Sequence, residues 1–262
     1  MLRNEKINEI LLLMGAFTFA FFIGTAIHEF GHVIALRAFG IEQYKVIIHP
    51  FIGNQIIWNV NDEFIGYVDA AGPLFNILVG NVFLIAFWKQ RQTIIPSILL
   101  LGPVALIQEG FNSLIQIILN IPESDSVRII AAGVPGSVLT VIDAILFCLG
   151  VLILTIELPL YGISSDDGQI DRITTIMPGF IGYIAAIYLY NLAFNPMGAT
   201  RGLVLIIFSA AIAALVSFIY IPVVNRIGDR LHCDVVQRDR KILSMVVGLA
   251  KGTIVLGLIF FN

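Results

Sequence analysis

Long apolar runs separated by short polar connections dominate the sequence. A helix needs about 20 residues to cross the hydrocarbon core of a bilayer, and seven runs approach or exceed that length. They cover residues 8–38, 66–88, 95–119, 134–160, 173–194, 202–224 and 242–261. Internal glycines and prolines are tolerated where neighbouring helices satisfy the freed backbone groups. The pattern predicts an all-α polytopic membrane protein with about six to seven transmembrane helices.

The connection between the first two runs has a different pattern. Residues 44–49 and 55–60 are rich in β-branched and aromatic side chains, and Gly53 and Asn54 lie between them. Two such segments joined by a glycine-containing turn are typical of a β-hairpin. We predict a short hairpin insertion after the first helix, at the interface or against protein, because unpaired strand edges are unfavourable in lipid.

The composition supports an integral membrane protein. Hydrophobic residues make up 58% of the 262 residues and charged residues 13%, whereas globular proteins have roughly 45–50% and 25%. The net charge of −3 offers no basic surface for nucleic acid, and two cysteines are too few for a disulfide framework. We expect a multi-pass protein of the cell membrane that contacts the lipid bilayer and has no nucleic-acid partner.

The first run contains an HExxH motif, in which His28 and Glu29 are followed by His32. Histidines four residues apart lie on one face of a helix, so both imidazoles can bind one metal ion. Glu29 lies beside them, where it can accept a proton from the attacking water. Two histidines and a glutamate are unfavourable inside an apolar helix without a function. We therefore favour a catalytic zinc site over polar contacts between helices.

A hydrolytic zinc site usually has three protein ligands and one open position. The third ligand must come from another part of the chain. Candidates are the acidic residues within or at the ends of the apolar runs and the histidine of the predicted hairpin: Asp69, Glu109, Asp125, Asp143, Asp166, Asp167 and His49.

The order of these motifs resembles the site-2 protease family of intramembrane zinc metallopeptidases. In that family a β-rich insertion follows the HExxH helix, the next helix begins with a Gly-Pro-x-x-Asn-like stretch, and a later Asp binds zinc. Residues 8–135 follow this order, with the sequence GPLFN at residues 72–76. The resemblance implies a metalloprotease core in residues 1–135, followed in 136–262 by further transmembrane helices whose role it does not assign.

The resemblance also implies zinc as the cofactor, His28 and His32 as ligands and Glu29 as the catalytic base. Asp125 is the best match for the third ligand, although the family usually has glycine where Ser126 stands. The first and third spans end on the same side of the membrane, which brings Asp125 towards His32. In this topology the alternative ligands lie on the opposite side: Asp166 and Asp167.

Three further polar residues are candidates for supporting roles. Asn76 and Asn112 are predicted to position the substrate, since an amide can donate a hydrogen bond to a developing oxyanion. Asn76 could equally hold two helices together, and Asn112 could satisfy the backbone near Pro103. Asp69 could orient a zinc-bound histidine through its second nitrogen.

The predicted function is hydrolysis of peptide bonds in a transmembrane protein or peptide substrate. The alternative is a metal transporter or a non-catalytic metal-binding membrane protein, which Asp69, Glu109 and Asp143 in three different spans keep open. The two classes differ in their need for Glu29, because transport requires no general base.

Overall fold

The computed structural model describes residues 2–47, 55–58, 62–88, 96–122, 124–163, 167–194, 206–207 and 210–224. The helices are α1 (Leu2–Ala38), α2 (Asp62–Phe87), α3 (Pro96–Leu99), α4 (Leu101–Ile118), α5 (Asp125–Ala131), α6 (Gly136–Glu157), α7 (Gln169–Phe194) and α8 (Ala210–Val224). Strands β1 (Tyr44–Ile47) and β2 (Gln55–Trp58) lie between α1 and α2, and a 3-10 turn (Leu158–Tyr161) follows α6. The prediction of a mostly helical fold with one small hairpin is confirmed.

Three of the described helices are long and apolar enough to cross a membrane. They are Glu9–Ala38 in α1, Phe64–Phe87 in α2, and Gly136–Tyr161, which combines α6 with the 3-10 turn. The predicted span 95–119 is divided into α3 and α4 at Leu100. The last predicted span, 242–261, lies outside the described residues. The structure thus supports membrane association through three helices of spanning length.

The hairpin is attached to the helices through a small apolar cluster. β1 and β2 pair antiparallel, with Tyr44 opposite Trp58. Ile56 of β2 is buried against Leu36 of α1 and Val68 of α2. Protein therefore covers one face of the hairpin. The predicted turn falls in residues 48–54, outside the described part of the chain.

The main apolar core surrounds the N-terminal half of α1. Leu13 and Phe17 of α1 are fully buried there with Leu154 of α6 and Phe180 of α7, and the rings of Phe17 and Phe180 lie 4.3 Å apart. The C-terminal half of α1 instead faces polar side chains of α4 and α5. This division along one helix places the HExxH motif outside the apolar core.

Candidate metal centre

The crossing of α1 and α2 is formed by two glycines. A Cβ atom on Gly31 would lie 2.4 Å from the carbonyl oxygen of Ala71. A Cβ atom on Gly72 would lie 2.4 Å from Nε2 of His32 and 2.9 Å from Nε2 of His28. Real Cβ atoms do not approach so closely. Backbone atoms block a side chain at Gly31, so this position requires glycine, whereas at Gly72 a side chain would displace the two imidazoles. The crossing brings the backbone of α2 against both imidazoles.

His28, His32 and Asp125 point their ligand atoms at one another. Nε2 of His28 is 3.0 Å from Oδ2 of Asp125 and 3.0 Å from Nε2 of His32. Nε2 of His32 is 3.6 Å from the same carboxylate oxygen. Ligand atoms bound tetrahedrally to zinc at about 2.0–2.1 Å lie about 3.4 Å apart. Two of the three separations are about 0.4 Å shorter than this and one is about 0.2 Å longer, so the group could hold a metal ion after a small outward shift of the ligand atoms.

The second nitrogen of each imidazole indicates which tautomer is present. Nδ1 of His32 donates to the carbonyl oxygen of Val68 at 2.7 Å, and Nδ1 of His28 lies 3.0 Å from Oε1 of Glu109. A neutral histidine that donates from Nδ1 has a lone pair at Nε2. Two such lone pairs and a carboxylate oxygen of Asp125 then face one another. Because lone pairs and a carboxylate oxygen repel one another, this arrangement is favourable only when a cation lies between them. The cation can be a metal ion, or protons can take its place.

Asn76 lies behind His28 and supports the carboxylate of Glu109. Both residues are buried, and Nδ2 of Asn76 donates to Oε1 of Glu109 at 2.5 Å. This hydrogen bond joins α2 to α4. It corresponds to the second role considered for Asn76, that of holding two helices together. Asn112 is half-buried on α4. The hydrogen bonds described for His28 and His32 do not involve it. Substrate positioning by either asparagine stays a prediction.

Ser126 anchors the helix that presents Asp125. Its hydroxyl oxygen lies 2.9 Å from Oε1 of Gln116 and 2.7 Å from the hydroxyl oxygen of Ser113, and it donates its one proton to either of them. Ser113 in turn donates to the carboxylate of Asp143 on α6. The departure from the family pattern at Ser126 therefore adds polar contacts between α5 and α4. Asp143 serves as the polar contact between α4 and α6.

The Asp125 carboxyl is ionised, the form that binds a metal. Burial by itself would raise its pKa. When protons occupy the place of the metal ion, the imidazoles of His28 and His32 are positively charged and hydrogen-bond to Asp125, which outweighs the burial and holds the pKa of Asp125 well below its usual range.

Asp167 lies far from the histidines. It is close to the start of α7, where Asp171 forms an ion pair with Lys6 at 2.9 Å. Lys6 and His28 are separated along α1 by roughly 33 Å at a rise of about 1.5 Å per residue. Two other candidate ligands lie outside the described residues: His49 and Asp166.

A cavity of about 360 Å³ opens beside the ligands. Its polar lining residues come from α1 and α5, and its apolar lining residues come from β2. They are Glu29, His32, Asp125 and Arg128 on the helices, and Ile56, Ile57 and Trp58 on the strand. The glutamate of the HExxH motif therefore faces the same space as two of the three ligand residues. This space is large enough for a water molecule beside Glu29 and the ligand residues.

Several residues of the site were not assigned correctly from the sequence. The suggestion that Asp69 orients a histidine is wrong, because Asp69 pairs with Arg128 at 2.7 Å. Glu109 takes that role for His28, and the backbone of Val68 takes it for His32. An available signal was the position of Arg128 one helical turn after Asp125, since residues three apart on a helix are neighbours.

Comparison of the chain with protein-family models, with curated proteins and with solved structures finds no match. The function is therefore inferred from the residues of the site.

Replacing Gly72 by alanine is expected to weaken zinc binding roughly tenfold or more, the effect typical of displaced ligand geometry. The added methyl carbon would overlap Nε2 of His32 and push α2 away from α1. Zinc affinity measured by competition with a chelator checks this. Gly168→Ala is the matched control, because its Cβ would meet nothing closer than 3.6 Å. Equal zinc affinity in both variants would contradict the predicted close approach.

Proposed function

We propose that the protein is an intramembrane zinc metalloprotease, similar to the site-2 protease family, with about six to seven transmembrane helices. Its substrates would be membrane-embedded proteins or peptides. The observation that favours this function is the cavity shared by Glu29, His32 and Asp125. A general base must lie within hydrogen-bond reach of the water that it deprotonates, and this cavity is where such a water would lie.

Zinc bound by His28, His32 and Asp125 would polarise the scissile carbonyl and make the attacking water more acidic. Glu29 accepts the proton of that water and returns it to the leaving amine. Glu109 and Val68 hold the imidazoles with Nε2 towards the ion. Because these contacts set the ligand orientation before substrate arrives, the site needs little rearrangement during the reaction.

The hairpin is the element that we propose receives the substrate. A peptide bond within a helix is shielded, so a transmembrane substrate must become extended before water can attack it. β2 borders the cavity, and an extended segment can add to a sheet edge through main-chain hydrogen bonds. The apolar residues Ile57 and Trp58 would then contact substrate side chains next to the scissile bond.

The contacts of the remaining carboxylates favour a fixed site over a transport pathway. Glu109 bonds to His28 and Asn76, and Asp143 accepts a hydrogen bond from Ser113. A pathway for metal ions needs donors free to exchange partners across several helices, whereas these carboxylates are engaged with neighbouring side chains. A hydrolytic site also explains Glu29, for which a transporter has no use.

The proposal is tested with the purified protein in lipid vesicles together with a library of single-span peptides that contain helix-breaking residues at different depths. We expect zinc-dependent cleavage within the span, detected by mass spectrometry. Treatment with 1,10-phenanthroline should abolish cleavage, and added zinc should restore it. Zinc accumulation inside the vesicles without cleavage of any peptide would contradict the proposal and favour transport.

A further inference from the structure

Arg128 contacts three elements around the proposed metal ion. Its Nη2 is 2.7 Å from Oδ1 of Asp69 on α2 and 3.3 Å from Oδ1 of Asp125 on its own helix. Its guanidinium carbon lies 5.0 Å from the centre of the Trp58 ring of β2, a separation at which a cation is attracted to an aromatic face. The guanidinium therefore lies between the ligand helix, α2 and the hairpin.

The two oxygens of Asp125 have different partners. Oδ2 faces both imidazoles, at 3.0 Å from His28 and 3.6 Å from His32. Oδ1 faces Arg128. A carboxylate arranged in this way offers a metal ion one oxygen, because the other is held by a guanidinium.

Asp69 keeps Arg128 in this position. The Asp69 side chain is fully buried, and a buried carboxylate is strongly unfavourable without a counter-charge. Arg128 provides that charge, and its side chain is 30% exposed at the cavity. The planar guanidinium can serve two carboxylates at once, which the point charge of lysine does less well.

We propose that Arg128 is a positioning residue that keeps Asp125 monodentate, so that the fourth position of the metal stays open for water. The inference rests on the proposed metal site and adds to it a residue that the HExxH motif does not imply. Without Arg128, Asp125 is free to rotate and bind through both oxygens. The metal would then be bound by both oxygens of Asp125 beside the two imidazoles and the water, so that it has five ligand atoms instead of four and holds the water in a changed geometry.

Cobalt(II) substituted for zinc tests this directly, because four-coordinate cobalt absorbs visible light more strongly than five-coordinate cobalt. The wild-type protein is expected to show the intense four-coordinate spectrum. In Arg128→Gln we expect cobalt to remain bound and its molar absorptivity to fall by roughly twofold or more. Arg37→Gln is the matched control, since Arg37 is exposed on α1 and donates a hydrogen bond to Tyr44, and its spectrum should match the wild type.

An unchanged, intense spectrum in Arg128→Gln would overturn the role of Arg128 and leave the metal site standing. If circular dichroism shows that Arg128→Gln is unfolded, Arg128→Lys replaces it, since lysine keeps a positive charge beside the buried Asp69 but lacks the planar guanidinium that serves two carboxylates at once. The same loss of absorptivity is expected there, and an unchanged spectrum again overturns the inference. A wild-type protein that binds no cobalt would instead refute the proposed metal site. The spectrum needs no substrate, so failure to cleave peptides would count against the protease alone.

Discussion

The Glu29→Gln variant is expected to bind zinc as the wild type does and to lose peptide-bond cleavage, with a rate reduced by about 10²–10⁴. Glutamine has nearly the same shape but cannot accept a proton from water. Glu29 does not belong to the group of ligand atoms that face one another, so its replacement should leave zinc in place. Zinc content by atomic emission and single-turnover cleavage in vesicles measure the two quantities separately.

Glu42→Gln provides the matched control for this measurement. Glu42 is exposed in the connection after α1, and the same chemical change there should leave both zinc content and cleavage unchanged. Full cleavage by Glu29→Gln would show that another group removes the proton. Loss of zinc from Glu29→Gln would instead make Glu29 a ligand and require a different arrangement of the site.

The Asp125→Ala variant is expected to lose zinc, with an affinity reduced by about 100-fold or more, beyond the range typical of residues that only support a ligand. Alanine would leave two imidazoles and no carboxylate for the ion. His28 would also lose its contact at Nε2 with Asp125. Zinc affinity should be determined by chelator competition at a pH at which both histidines are neutral.

Asp167→Ala is the control for Asp125→Ala, because Asp167 lies near the opposite end of α1 close to the ion pair of Asp171 and Lys6. We expect it to retain the zinc affinity of the wild type. Zinc loss from Asp167→Ala with retention in Asp125→Ala would contradict the ligand group seen here. It would favour instead the pair formed by Asp166 and Asp167.

The local features of the site could be predicted from the sequence because they depend on neighbouring residues alone. The four-residue spacing of His28 and His32 puts both imidazoles on one helical face wherever the helix lies. The hairpin was predicted from two β-rich segments on either side of Gly53 and Asn54, and β1 and β2 form within these segments. Spanning helices were predicted from long apolar runs, and three are present in the described chain.

The partners of these features could not be derived from composition or spacing. Asp125 is 97 residues from His28 and Glu109 is 81 residues away. Motif order suggested Asp125, but Glu109, Asp143 and Asp69 are also acidic residues in apolar surroundings. The crossing of the helices gives each carboxylate a different role. Asp125 faces the histidines, and Glu109 supports His28 from behind. Asp143 joins two helices, and Asp69 pairs with Arg128.

The amino-acid sequence by itself determined that this is an apolar, helical chain with two histidines and a glutamate on its first helix. Only the tertiary structure decided which carboxylate meets those histidines, which nitrogen each histidine presents, and why Gly72 has no side chain. The physical reason is the distance along the sequence over which each feature is determined. Helical periodicity is set by the backbone over a few residues, whereas a ligand group and its supporting contacts depend on the packing of α1, α2, α4 and α5 against one another.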